Sequence, residues 1–166
     1  RQRQMCIRDS SKTKSKQKSK NISYKLKLKY RDKIKIIYQK QSFIGGAIKI
    51  AIQNIKASHF ILMASDLETE PKDIKKLIIN SKKNPNKIIV ANRWLEKDSF
   101  KGYNFIKLFF NKLFQIFFSN LYSVYLSDLT FAFRVYPSNL LKSFILKESR
   151  HPILLETILI PIKLGT

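Results

Sequence analysis

Phe60-Ile61-Leu62-Met63-Ala64-Ser65-Asp66-Leu67-Glu68-Thr69-Glu70-Pro71 is the stretch whose reading decides the fold class. Phe60 to Ala64 is an unbroken apolar run, too short for a helix and bounded by polar residues. That predicts a strand buried on both faces, as in a parallel sheet. Acidic groups follow where such a strand ends, and Pro71 suits the first turn of a helix, where its missing N–H leaves no bond unmade. Open α/β sheets bind their ligands at the carboxyl ends of strands. Asp66 and Glu68 therefore stand where a hard cation or a polar substrate would be held. A plainer reading, solvated charges that favour a helix N-terminus, fits the same residues.

The flanking segments continue the pattern. Gly45-Gly46 precedes Ala47, Ile48, Ala51, Ile52 and Ile55, whose spacing predicts a helix with one apolar stripe. A glycine pair there lets backbone N–H groups approach a phosphate, although close packing is the commoner reason for such glycines. Ile74, Leu77 and Ile78 predict a second helix ending near Asn84-Pro85, and Ile88 to Ala91 a second short strand with Asn92-Arg93 at its carboxyl end. Strand, helix, strand, helix, strand implies a mostly parallel α/β sheet with right-handed crossovers and flanking helices. Two adjacent strands would then bring Asp66 and Arg93 to one rim, an acid for a cation and a guanidinium for phosphate oxygens.

Upstream, Ile22, Tyr24, Leu26, Leu28 and Tyr30 alternate with polar residues and predict a half-buried strand, with a second β-like segment at Ile34, Ile36 and Ile37. Ser11 to Lys20 has nothing apolar to bury and is expected to be disordered. Downstream, Asn104 to Tyr122 reads as a long helix. Lys107, Asn111, Lys112, Gln115 and Ser119 share one side, and eight phenylalanines and leucines cover most of the rest. An apolar arc that wide is either surrounded by protein, the commoner case, or lies on a membrane surface. Ser127 to Tyr136 reads as a strand with Phe131, Phe133 and Val135 on one face and Ala132, Arg134 and Tyr136 on the other. Arg134 there needs an anionic partner, a carboxylate or a substrate phosphate. Pro137 starts a helix running to about Leu146, and an apolar helix carrying Glu156 follows His151-Pro152.

Apolar content of 44% and aromatic content of 12% are those of a globular domain. Residues 1–40 hold 15 basic and 2 acidic side chains and the remainder 18 and 9, within a net charge of +22. Such an excess suggests nucleic acid or an anionic membrane, but lysine, isoleucine and asparagine abound throughout, as an A- and T-rich coding bias would produce. Aromatic residues near the N-terminus are few and no nucleic-acid-binding signature is present, so nucleic acid is not the expected partner. One cysteine, Cys6, excludes a disulfide within the chain, and no Cys/His cluster has zinc spacing. No run of about 18 uncharged apolar residues marks a membrane span. Gln4 to Ser10 resembles the translation of a transposase adapter used in sequencing libraries, so residues 1–10 are expected to be an artefact.

Gly45-Gly46-Ala47, Met63 to Pro71, Asn92-Arg93 and Ser127 to Arg134 occur in one order, and together they resemble the family 2 glycosyltransferases, including the dolichyl- and undecaprenyl-phosphate sugar transferases. The resemblance covers roughly residues 34–166. It implies a GT-A (nucleotide-diphospho-sugar transferase, Rossmann-like) fold and inverting transfer from a nucleotide-diphospho-sugar donor, with Mg2+ or Mn2+ as cofactor and a polyprenyl phosphate among the acceptors. It also implies peripheral contact with the cytoplasmic face of a membrane. By the same resemblance Asp66 and Glu68 would hold the metal, Asp66, Arg93 and Arg134 would be catalytic, and Gly45, Gly46, Arg93 and Asp128 would line the donor site. Departures are visible: Ala64 stands where the family has the first carboxylate of Asp-X-Asp, and Ala132 replaces a glycine before Phe133-Arg134. Two N-terminal elements that carry much of the family's nucleoside pocket have no counterpart by motif. Residues 21–166 are therefore expected to be a partial, internal piece of such a domain, with a non-catalytic fragment or a basic nucleic-acid- or membrane-surface-binding protein as the alternative.

Overall fold

The computed structural model describes residues 14–64, 69–95, 104–124 and 128–165, with side chains from residue 20 onward. The chain divides into two compact units, one drawn from Arg1–Lys56 and Ile145–Ile153, the other from Ala57–Phe144 and Leu154–Thr166.

In the first unit, α1 (Lys14–Tyr30) is followed by a 3-10 turn at Arg31–Lys33 and then by α2 (Phe43–Asn54). Helix α1 overturns the strand expected at residues 22–30, and it begins inside the segment expected to be disordered. The alternation was real, but Ile22, Leu26 and Tyr30 also recur at i, i+4, and no Gly or Pro interrupts residues 14–44. Lys, Leu and Gln are good helix formers, and with no strand alongside, the helix is the conformation that satisfies its own backbone. Residues 34–39 are not assigned to a strand, although Ile34 itself has extended backbone angles. Gly45 and Gly46 sit within the first turn of α2, both buried. A Cβ on Gly45 would fall 2.5 Å from the backbone of Glu148 and Ser149, and one on Gly46 would collide with Gln41. The Gly45 N–H donates to the Ser149 carbonyl at 2.7 Å. Close packing is thus what this structure shows for both glycines.

The second unit is built on a three-stranded sheet. Strands β1 (His59–Leu62), β2 (Ile89–Val90) and β3 (Arg134–Pro137) lie in the order β1-β3-β2, and both pairings are antiparallel. Ile61 and Ile89 oppose Val135 from either side, and Leu62 and Val90 oppose Arg134. The mostly parallel sheet of adjacent strands is therefore corrected, because β3 inserts between the two strands that were expected to pair. Since both run against β3, β1 and β2 still point the same way, and their carboxyl ends meet the start of β3 at one rim. Burial is also redistributed. Strand β3 is buried along its length while β1 is only half-buried, as expected when the middle position of the sheet belongs to β3.

Helix α3 (Ile74–Lys83) seats Leu77 on Phe131, Phe133 and Val135, with Ile61, Met63 and Ile89 packed around them. Helix α4 (Phe105–Tyr122) is capped by Asn104, whose Oδ1 accepts from the Ile106 N–H at 2.9 Å, and it ends on Ser123 in the left-handed region. Helix α5 (Ser138–Lys142) is shorter than the expected helix to Leu146, and α6 (Ile153–Lys163) closes the chain. Ile158 of α6 packs with Val124 and Leu129, flanked by Phe118 and Tyr122 of α4. Among the described residues, no helix is long and apolar enough to cross a membrane.

Candidate active site

The rim at the carboxyl ends of β1 and β2 gathers the polar chemistry of the second unit. Beyond Val90 the ladder continues for one more bond, Ala91 N–H to the Phe133 carbonyl at 3.0 Å. Asn92 then turns the chain, its Oδ1 accepting from the Trp94 N–H at 2.9 Å, and Arg93 opens a 3-10 turn. Its guanidinium grips Asp128 with both arms: Nε donates to Oδ2 at 2.9 Å and Nη2 to Oδ1 at 3.0 Å. The Asp128 side chain is fully buried and that of Arg93 is 11% exposed. Bidentate geometry of this kind fixes the guanidinium plane as well as neutralising the carboxylate. The Phe131 ring lies 4.5 Å from the guanidinium carbon and supports it from one face. The structure thus brings together two residues, Arg93 and Asp128, that the motifs had assigned separately to the donor site.

Arg134 lies at the same end of the sheet, but fully enclosed. Its Nη1 donates to the Leu154 carbonyl at 2.7 Å and to Tyr136 Oη at 3.1 Å, and its Nη2 donates to the Leu129 carbonyl. The Tyr136 hydroxyl in turn lies 3.0 Å from Thr157 Oγ1. Among the described residues, the anionic partner expected for Arg134 is replaced by these carbonyl and hydroxyl oxygens. A buried charge must find hydrogen-bonding partners, and here several neutral oxygens do the work of one carboxylate.

Asp66 and Glu68 lie outside the described residues. Their surroundings do not: Thr69 Oγ1 donates to the Ala64 carbonyl at 3.4 Å, bridging the two ends of the four-residue segment that carries both acids. Ala64 is thus both the residue replacing the family's first carboxylate and the acceptor of this Thr69 hydrogen bond. Glu70 is exposed and pairs loosely with Lys72 at 3.7 Å. No cluster of three His, Cys, Asp or Glu occurs among the described residues, and the Asp128 carboxylate is taken by Arg93. Asp66 and Glu68, the two acids to which the family resemblance gives the metal, are not among those described residues.

One contributor escaped the motif reading. Gln115, on α4, is 3% exposed. Its Oε1 accepts from the Leu129 N–H at 2.7 Å, and its Nε2 donates to Thr130 Oγ1 at 2.9 Å and to Asn111 Oδ1 at 3.2 Å. Thr130 Oγ1 also lies 3.5 Å from Arg93 Nη2. The signal in the sequence is an amide on the polar side of a phenylalanine-rich helix, and Asn111, Gln115 and Ser119 of that side face the protein.

The family model of Glycosyl transferase family 2 matches residues 5–144. The chain belongs to that family, and it is accordingly a glycosyltransferase domain, for which the family implies a GT-A fold, a nucleotide-sugar donor and an acceptor. The match reaches further towards the N-terminus than the motif series at roughly 34–166, taking in α1 and most of the segment read as adapter-derived. No match was found among curated proteins.

Proposed function

We propose that this glycosyltransferase moves a sugar from a nucleotide-diphospho-sugar to a polyprenyl phosphate, with inversion, at the cytoplasmic face of a membrane. The observation that carries the reading is the orientation of α4. Its polar residues Asn111, Gln115 and Ser119 face the protein, while Phe105, Phe110 and Phe117 are 79%, 63% and 61% exposed, and Ile106, Phe109, Ile116 and Leu121 are exposed with them. Contiguous apolar surface of this kind marks an interaction site. Its occupant is an anionic lipid surface: Lys107 and Lys112 are exposed at the flanks, and α4 contains no acidic residue. Basic residues flanking an apolar helical face suit the headgroup plane.

In this reading, Asp66 and Glu68 would hold Mg2+ or Mn2+, which would supply positive charge against the donor diphosphate. Arg93, oriented by Asp128, presents fixed positive charge towards the phosphates at the rim. An ionised acceptor phosphate oxygen forms the new bond to the anomeric carbon as the bond from that carbon to the departing nucleoside diphosphate breaks. The acceptor is already an anion, so no proton need be removed and no general base is required. Arg134, enclosed as it is, acts by holding the segment around Leu129 rather than by touching phosphate. Gly45 and Gly46 act through packing.

Transfer of labelled sugar from a panel of nucleotide-diphospho-sugars into vesicles containing undecaprenyl or dolichyl phosphate tests the proposal. The expected result is a metal-dependent lipid-linked product, abolished in Asp66→Asn and reduced more mildly in Glu68→Gln, whose amide still offers one oxygen. Full transfer by Asp66→Asn with chelator present would overturn the metal role. Transfer to hydroxyl acceptors alone would overturn the acceptor.

A further inference from the structure

We propose that Gln115 is a positioning residue through which the lipid-facing helix sets the geometry of the Arg93–Asp128 pair; this rests on the membrane reading of α4. The Leu129 peptide is held from two sides, its N–H by Gln115 Oε1 and its carbonyl by Arg134 Nη2. Leu129 itself is completely buried, so this peptide has no water to fall back on. Asp128 immediately precedes it and fixes Arg93, and Thr130 immediately follows it and receives both Gln115 Nε2 and Arg93 Nη2. Three consecutive residues therefore link the amide of α4 to the guanidinium at the rim.

Every polar atom of the Gln115 side chain makes at least one hydrogen bond, at 2.7 to 3.2 Å. Buried amides are costly unless satisfied, and satisfied ones resist displacement relative to their partners. A shift of α4 as its outer face enters the headgroup plane must then either break these bonds or carry residues 128–130 along. Carrying them moves Asp128 and turns the guanidinium plane of Arg93. The inverted placement of the helix makes this possible: a helix with its apolar face inward would slide over its contacts without directional bonds.

Trp94, the one tryptophan in the chain, adjoins Arg93 and reports on the rim. Its emission is measured with the full chain, with and without vesicles of phosphatidylcholine and phosphatidylglycerol, alongside flotation and circular dichroism. The wild type is expected to float and to shift its Trp94 emission. Gln115→Leu is expected to float with the shift lost. Thr130→Val, which keeps the shape and removes the hydroxyl, should behave likewise and covers the case in which Gln115→Leu does not fold. Thr130→Ser, which keeps the hydroxyl and removes the methyl, should retain the shift. A purely packing role for Thr130 predicts the reverse order of those two variants and would overturn the proposal, as would an unchanged shift in floating Gln115→Leu. A wild type that floats without any shift overturns the coupling alone, whereas one that never floats overturns the membrane reading and the coupling with it.

Discussion

Helices α3 and α4 hold the same piece of chain, residues 128–135, from opposite chemistries. Helix α3 follows the ordinary rule. Leu77 is buried against Phe131, Phe133 and Val135, while Lys75, Lys76, Lys82 and Lys83 face water. Helix α4 inverts it, presenting Gln115 to Leu129 and Thr130 and leaving Phe105, Phe109, Phe110 and Phe117 outside. Apolar contact is tolerant of small displacements, because its strength depends on area rather than direction. Hydrogen bonds at 2.7 and 2.9 Å are not, because they weaken steeply as alignment is lost. The core side of the segment is thus anchored by packing and the site side by directional bonds, which suits a segment whose start must orient Arg93.

The largest expected effect comes from breaking the polar side at its most enclosed point. Asp128→Ala leaves the Arg93 guanidinium nearly buried without its carboxylate, and removing one partner of such a pair costs about 3–5 kcal/mol. Chemical denaturation should show that loss as an earlier midpoint with an unchanged slope. A loss below about 1 kcal/mol, the range of exposed pairs, would mean that Arg93 finds water or another partner readily, and the contrast between the two sides would collapse.

Breaking the apolar side should cost somewhat less. Leu77→Ala removes the central contact of α3, and buried Leu→Ala changes cost about 2–5 kcal/mol. The lower part of that range is expected, since Ile74 and Ile78 of the same helix are only partly covered and leave room for collapse. The sharper expectation concerns Trp94: Leu77→Ala should lower the denaturation midpoint while the vesicle-induced shift of its emission survives. Loss of that shift in a folded Leu77→Ala protein would mean that both sides position the rim.

How far the sequence reached follows from the same contrast. Periodicity placed α2, α3 and α4, whereas short unbroken apolar runs marked the two strands before α4 and the apolar stretch after His151-Pro152 marked α6. It failed at residues 22–30, where the Lys-Leu alternation satisfied a strand period while i, i+4 spacing was also available. It also failed on strand adjacency. No local signal says that a strand beginning at Arg134 will insert between two that precede it by tens of residues. At the site, Arg93 was legible at the end of a short apolar run and Asp128 through the family resemblance, but their pairing is a long-range fact that neither neighbourhood encodes. For α4 the sequence showed two faces and could not show which turned inwards. A polar face normally meets water, and only the buried donors and acceptors of Leu129 and Thr130 reverse that preference.

The smallest expected effect on stability is the most telling about function. Phe110 and Phe117 are more than half exposed, and Ser and Phe have similar helix propensities. Phe110→Ser and Phe117→Ser should therefore each change stability by about 0.5 kcal/mol or less, the range of surface substitutions. On an ordinary helix, two such large apolar side chains would be core, and replacing either would cost several times more. The same two changes remove much of the apolar area that enters a headgroup layer, so flotation with anionic vesicles should be lost while the denaturation midpoint stays nearly fixed. Raising the salt concentration should weaken flotation of the wild type as well, because the attraction of Lys107 and Lys112 to anionic lipid falls off over a Debye length that shortens with ionic strength. The opposite pattern, flotation unchanged and stability sharply reduced, would place these phenylalanines in a core and make α4 the same kind of helix as α3.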